Sequence, residues 1–187
     1  MNRGMERHVR QIVRVIDTVN DWIGSMILAL LVLPLLYSVC HEVFARYVFN
    51  APTDWSYELS YMIYGSHFML GAAYTLLKGG HVRTDIFYNT WSLRTRGIID
   101  ATLYLLAFFP GMMFFFWIGM EELLLAIETS EHSDLTPWMP SLVPFKATIP
   151  IAAGLLLLQG VSEFLKSAYA AVTGDELVHQ EHLGMEV

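Results

Sequence analysis

Apolar residues in this chain fall in long, nearly unbroken runs rather than in the alternating or one-faced patterns of a soluble core. Four runs stand out, at about residues 22–44, 55–77, 98–127 and 142–172. Each reaches the ~20 residues that cross ~30 Å of hydrocarbon at ~1.5 Å per residue. Within lipid such a run has to be helical, because only a helix satisfies its own backbone groups. The third run exceeds one vertical crossing, which predicts tilt or projection beyond the bilayer. Pro110 and Gly111 predict a kink near its middle. Ahead of the second run Pro52 closes a turn, Thr53 or Asp54 is placed to cap, and Glu58 falls in the first helical turn.

The segment before the first run has a different pattern. Arg3, Arg7, Arg10 and Arg14 recur on one helical face, and Val9, Ile12, Val13, Ile16 and Val19 gather opposite. That spacing predicts a short basic amphipathic helix on the inner membrane surface. The expected fold is therefore all-α and integral to the membrane. Residues 1–20 form the surface helix, 21–173 a domain of four transmembrane helices, and 174–187 a cytoplasmic tail.

Basic residues set the direction. Arg3, Arg7, Arg10, Arg14, Lys78, Arg83, Arg94, Arg96 and Lys166 fall on one side, against Arg46 and Lys146 on the other. The positive-inside rule then places both termini in the cytoplasm. Eight acids, among them Glu42, Glu58, Glu121 and Asp134, fall on the outer side and leave it near −6 of the total −7. Such a surface steers a complementary partner or is simply solvated charge.

Composition narrows the function. Hydrophobic residues make up 55% of the chain and charged residues 16%, against ~45–50% and ~25% in soluble domains. With short connections nothing remains for a soluble catalytic domain, so no enzyme is expected. The first run is too long for a signal h-region, and no small-residue cleavage site follows it. The single cysteine, Cys40, lies inside an apolar run, which excludes a disulfide framework and a thiolate metal cluster.

Polar residues within apolar runs are candidates for function because burying them is costly. Here they are His41, Glu42, His67, Glu121 and Glu122. His67 stands about twelve residues, or ~18 Å, into the second run, and His41 nearer the outer end of the first. Two imidazoles at unequal depth fit a bis-histidine haem poorly, so no cofactor or metal is expected; a helix-packing hydrogen bond suits His67 better. Glu42 and Arg46 are spaced to pair at a helix end. Trp138, in a stiff loop with Pro137, Pro140 and Pro144, is either a headgroup anchor or part of a docking surface. Gly79-Gly80 reads as a helix stop. No paired interrupted runs suggest a substrate site of the kind found in carriers.

Some of these residues resemble a known family. The stretch from Arg46 to Leu59, including Pro52, Trp55 and Glu58, is similar to the first periplasmic connection of the small permease subunit of TRAP transporters, the DctQ type. Gly71-Ala72-Ala73-Tyr74, leading to Lys78-Gly79-Gly80-His81-Val82-Arg83-Thr84-Asp85, resembles its cytoplasmic turn after the second helix. Pro137-Trp138 and Pro144 resemble its last loop. The likeness covers about residues 20–172.

The resemblance implies the small subunit of a three-part, usually sodium-coupled uptake system for organic acids in the bacterial inner membrane. A periplasmic binding protein would deliver substrate to a large permease subunit of about twelve spans. This chain would brace that subunit and help dock the binding protein. By position, Arg46, Trp55 and Glu58 would fix the outer corner of the bundle, and His81, Arg83 and Asp85 would order the cytoplasmic turn. No residue of this chain is expected to touch substrate. The alternative, resting on His41 and His67, is a haem-bearing or anchor subunit of a respiratory complex.

Overall fold

Long apolar runs become long helices here even where a proline such as Pro34 or Pro150 lies inside them. The computed structural model describes residues 3–80, 90–175 and 177, and four helical stretches account for most of them. Helix α1 spans Arg3–Tyr47 and α2 spans Ser56–Leu77. Helix α3 spans Leu93–Glu128, and α4 spans Val143–Thr173. Among the described residues there is no strand, only an isolated antiparallel bridge between His132 and Ser141.

Three of these helices are long and apolar enough to cross a membrane: the Glu6–Tyr47 part of α1, α3, and α4. Helix α2, with 22 residues, has the length. Its Tyr57, Glu58, Tyr61, Tyr64, His67 and Tyr74 keep it less apolar than the other three. The N-terminal segment differs from a separate surface helix: α1 is one helix of 45 residues. The reason is local, since neither glycine nor proline occurs between Gly4 and Gly24 to break the backbone ladder.

The middle of α3 carries a π-helical turn at Tyr104–Phe108, directly ahead of the Pro110-Gly111 pair. Proline has no N–H to offer the preceding turn. The ladder there widens, with the Phe109 N–H donating five residues back to the Tyr104 carbonyl. Helix α2 ends on Gly79 at φ +68°, with Gly80 N–H on the Thr75 carbonyl at 2.9 Å and Gly79 N–H on Leu76 at 3.1 Å. This is the paired C-cap that only a left-handed residue allows.

The chain divides into two compact units, which the long helices enter in turn. One comprises the described parts of Met1–Trp22, Ala73–Phe114 and Gly154–Val187; the other comprises Ile23–Ala72 and Phe115–Ala153. In both, most of the buried residues are small or polar, Val13 and Leu76 of the first unit being exceptions, and many large apolar ones face outward. Ala126, Ala152 and Ala153 are buried in the second unit, while Leu33, Phe44, Phe114 and Trp117 are exposed. A soluble protein has the reverse order. Helices surrounded by lipid gain nothing from hiding leucine, and they associate through close backbone approach and hydrogen bonds. In the first unit Gly97 shows that approach: a Cβ placed there meets the Ala171 nitrogen at 2.6 Å and the Ser167 carbonyl at 2.7 Å.

Candidate functional site

The corner between α1 and α2 is built on Glu42. Its position four residues before Arg46 on α1 brings the two together, and Glu42 Oε1 accepts from Arg46 Nε at 2.8 Å. The other carboxylate oxygen accepts the Thr53 backbone N–H at 3.1 Å and the Thr53 hydroxyl. Thr53 is therefore spent on α1 rather than on capping α2. Between them Asn50 turns the chain in the left-handed region at φ 50°, a conformation asparagine tolerates better than most residues.

Trp55 packs on this corner, its ring 5.1 Å from that of His41, which also lies 5.7 Å from Tyr37. Below it a serine cluster stitches α1 to α2. The Ser56 hydroxyl donates to the Ser38 carbonyl at 2.6 Å, and the Ser38 hydroxyl bonds to Ser56 and accepts from Ser60 at 2.9 Å. All of Ser38 and nearly all of Ser56 is buried. Ser38→Ala is expected to cost about 1 kcal/mol, the usual worth of a hydrogen bond between helices in lipid, read as a lowered melting temperature in detergent.

Glu58 is 1% exposed, and one carboxylate oxygen accepts the Ser133 hydroxyl at 3.0 Å. It thus ties the start of α2 to the loop between α3 and α4. Trp138 lies in that same loop and is partly exposed. Arg46, Trp55, Glu58 and Trp138 all belong to the second unit. His81, Arg83 and Asp85 lie outside the described residues. His41 and His67 stand in this unit too, each beside aromatic rings, and among the described residues no cluster of three metal-binding side chains occurs.

The first unit holds a polar network that the sequence reading passed over. Gln159 Nε2 donates to Asp17 at 3.0 Å and to Glu163 at 3.2 Å, and its Oε1 accepts from Asn20 Nδ2 at 2.8 Å. The Ser162 hydroxyl donates to Asp17 at 2.6 Å. Lys166 pairs with Asp17 at 2.8 Å and with Glu163 at 2.7 Å. The signal was present: Gln159, Ser162, Glu163 and Lys166 recur at helical spacing on one face of an apolar run.

These contacts join helix to helix and helix to loop. The comparison with family models decides what kind of bundle they serve: residues 35–169 match the DctQ component of the tripartite ATP-independent periplasmic transporters. The chain belongs to the DctQ family. The match takes in more than two thirds of the sequence and includes the corner, the serine cluster and most of the α4 network. No curated protein matches the chain. DctQ proteins are the small subunits of TRAP transporters, components of transport systems that work with a large permease and a periplasmic binding protein. This DctQ chain is thus a multi-pass membrane protein of a transporter, and the respiratory-subunit alternative is not favoured.

Proposed function

We propose that this DctQ chain is the accessory scaffold of a tripartite, sodium-coupled importer of organic acids. It braces a large permease subunit of about twelve spans in the bacterial inner membrane and helps dock the periplasmic binding protein. Helix α2 is the fourth span, and both termini are cytoplasmic. The family match carries the reading. The internal chemistry supports it, because the buried polar side chains join helix to helix: Ser38 to Ser56, Glu58 to Ser133, and Asp17 to Gln159 and Lys166. A lower hydropathy does not disqualify α2, since its Ser56, Glu58 and Ser66 are buried while Tyr57, Tyr61, Tyr64 and Phe68 face outward. Aromatic residues on the outer face and polar residues against a neighbour make an acceptable surface in lipid.

The test is purification of the tagged chain from its host in mild detergent, with mass spectrometry of what accompanies it. A stoichiometric membrane protein of about twelve spans is expected, together with no uptake by the chain alone in proteoliposomes. Transport by the isolated chain would overturn the scaffold reading, as would a haem or flavoprotein partner.

A further inference from the structure

The loop between α3 and α4 is ordered by its own hydrogen bonds and apolar at its tip. The Ser133 N–H donates to the Pro140 carbonyl at 2.9 Å and the Leu142 N–H to Glu131 at 3.0 Å, on either side of the His132–Ser141 bridge. A turn closes it through the Met139 N–H on Thr136 at 3.2 Å. Side chains fasten this hairpin at its base: the Ser133 hydroxyl to buried Glu58, and Lys146 to Glu131 at 2.7 Å. Two non-glycine residues hold left-handed backbone, Ser130 at φ 51° and Met139 at φ 44°. That conformation is costly for methionine and persists only where surrounding contacts impose it.

The tip so fixed offers Leu135, 68% exposed, Met139, 56% exposed, and Trp138, 44% exposed. Its charge is one-sided. At the hairpin's base Glu131 is paired with Lys146 at 2.7 Å, which leaves Asp134 as the acid of the tip itself. Asp134 is exposed beside the tip, as is Glu128 at the end of α3. An anchor in anionic headgroups carries basic residues beside its tryptophan, and it gains nothing from one imposed conformation. A rigid apolar tip with an acidic border is what a shape-specific protein contact uses, because the ordering cost has been met before binding.

We infer that the hairpin of residues 129–142 is a docking element for a soluble protein bearing an apolar recess edged with lysine or arginine. The inference rests on the proposed function for the side of the membrane on which the hairpin stands, and there the partner is the periplasmic binding protein.

The experiment uses the chain assembled with its large subunit in nanodiscs of zwitterionic lipid, with purified binding protein titrated by surface plasmon resonance at low and high salt. The double variant Leu135→Ser, Met139→Ser is expected to weaken binding about tenfold or more while the large subunit still co-purifies. Asp134→Asn is expected to flatten the salt dependence. Should the double variant lose the large subunit, Asp134→Lys carries the test, with weaker binding and a reversed salt dependence expected. Unchanged affinity in an intact complex overturns the docking inference alone. Quenching of Trp138 fluorescence by brominated lipid, whether or not binding protein is present, overturns it in favour of a headgroup anchor. Failure of the wild-type chain to assemble with the large subunit strikes the proposed function instead.

Discussion

Lys166→Met is expected to destabilise the chain by about 3 kcal/mol, the cost of leaving buried Glu163 and part-buried Asp17 without their cation. In a chain of this size that is a fall of about 10 °C in melting temperature. Lys166 meets Asp17 at 2.8 Å and Glu163 at 2.7 Å. Glu163 is 4% exposed, and Gln159, which bridges the two acids, is completely buried. Methionine keeps the apolar stem of lysine and removes only the charge, so packing loss contributes little.

The size of the effect follows from where the charges are. An exposed ion pair is worth ~1 kcal/mol or less, because water solvates whichever partner survives. Around Gln159 no such rescue is at hand, and α1 and α4 would separate to hydrate the carboxylates. Adding Asp17→Asn and Glu163→Gln to Lys166→Met removes the repelling charges and is expected to recover at least half of the loss. Circular dichroism melting of the purified protein in detergent measures both variants. A loss below ~1 kcal/mol for Lys166→Met would mean that the network is solvated and that other contacts hold α1 against α4.

This network also shows where reading the sequence stops. The apolar runs announced α4 to within a residue at each end and the end of α3, while α3 starts at Leu93, five residues ahead of its run, because the polar turn of Leu93–Gly97 is helical without being apolar. The Glu42–Arg46 pair was legible from four-residue spacing on one helix. The partner of Glu58 was not, since Ser133 lies 75 residues away and nothing local marks it. Lys166 was read only as a topology-setting charge because it stands near the end of an apolar run, where charge is ordinarily solvated, and nothing in the local pattern singled out Asp17. Only the folded chain places Asp17 on α1 opposite Lys166 on α4, turning two distant charges into one buried joint. The same limit hid the continuity of α1: a basic amphipathic pattern looks alike in a separate surface helix and in the first turns of a longer one.

Close backbone approach yields the second large effect. Gly97→Ala is expected to cost about 2–3 kcal/mol, near the upper end for overpacking, and Gly160→Ala about 1 kcal/mol or less. The shorter contact belongs to the milder variant. A Cβ at Gly160 meets the Phe108 ring at 2.2 Å, whereas one at Gly97 meets the Ala171 nitrogen and Ser167 carbonyl at 2.6 and 2.7 Å. What decides is the ability of the neighbour to move. Phe108 can rotate at the expense of its edge contacts with Tyr104 and Phe109, and alanine returns ~0.5–1 kcal/mol by its better helix propensity.

At Gly97 the obstacles are backbone atoms of α4, locked in their own helical ladder, so the two helices must part. Parting them also lengthens the bonds from Arg94 to the Ala171 and Val172 carbonyls, now 3.0 and 3.4 Å, which cover the open end of α4. Melting of the two single variants ranks them. Equal losses, or the reverse order, would mean that the start of α3 does not rest backbone to backbone on α4. A selective loss for Gly97→Ala would place the tightest constraint on this bundle at a residue that bears no side chain.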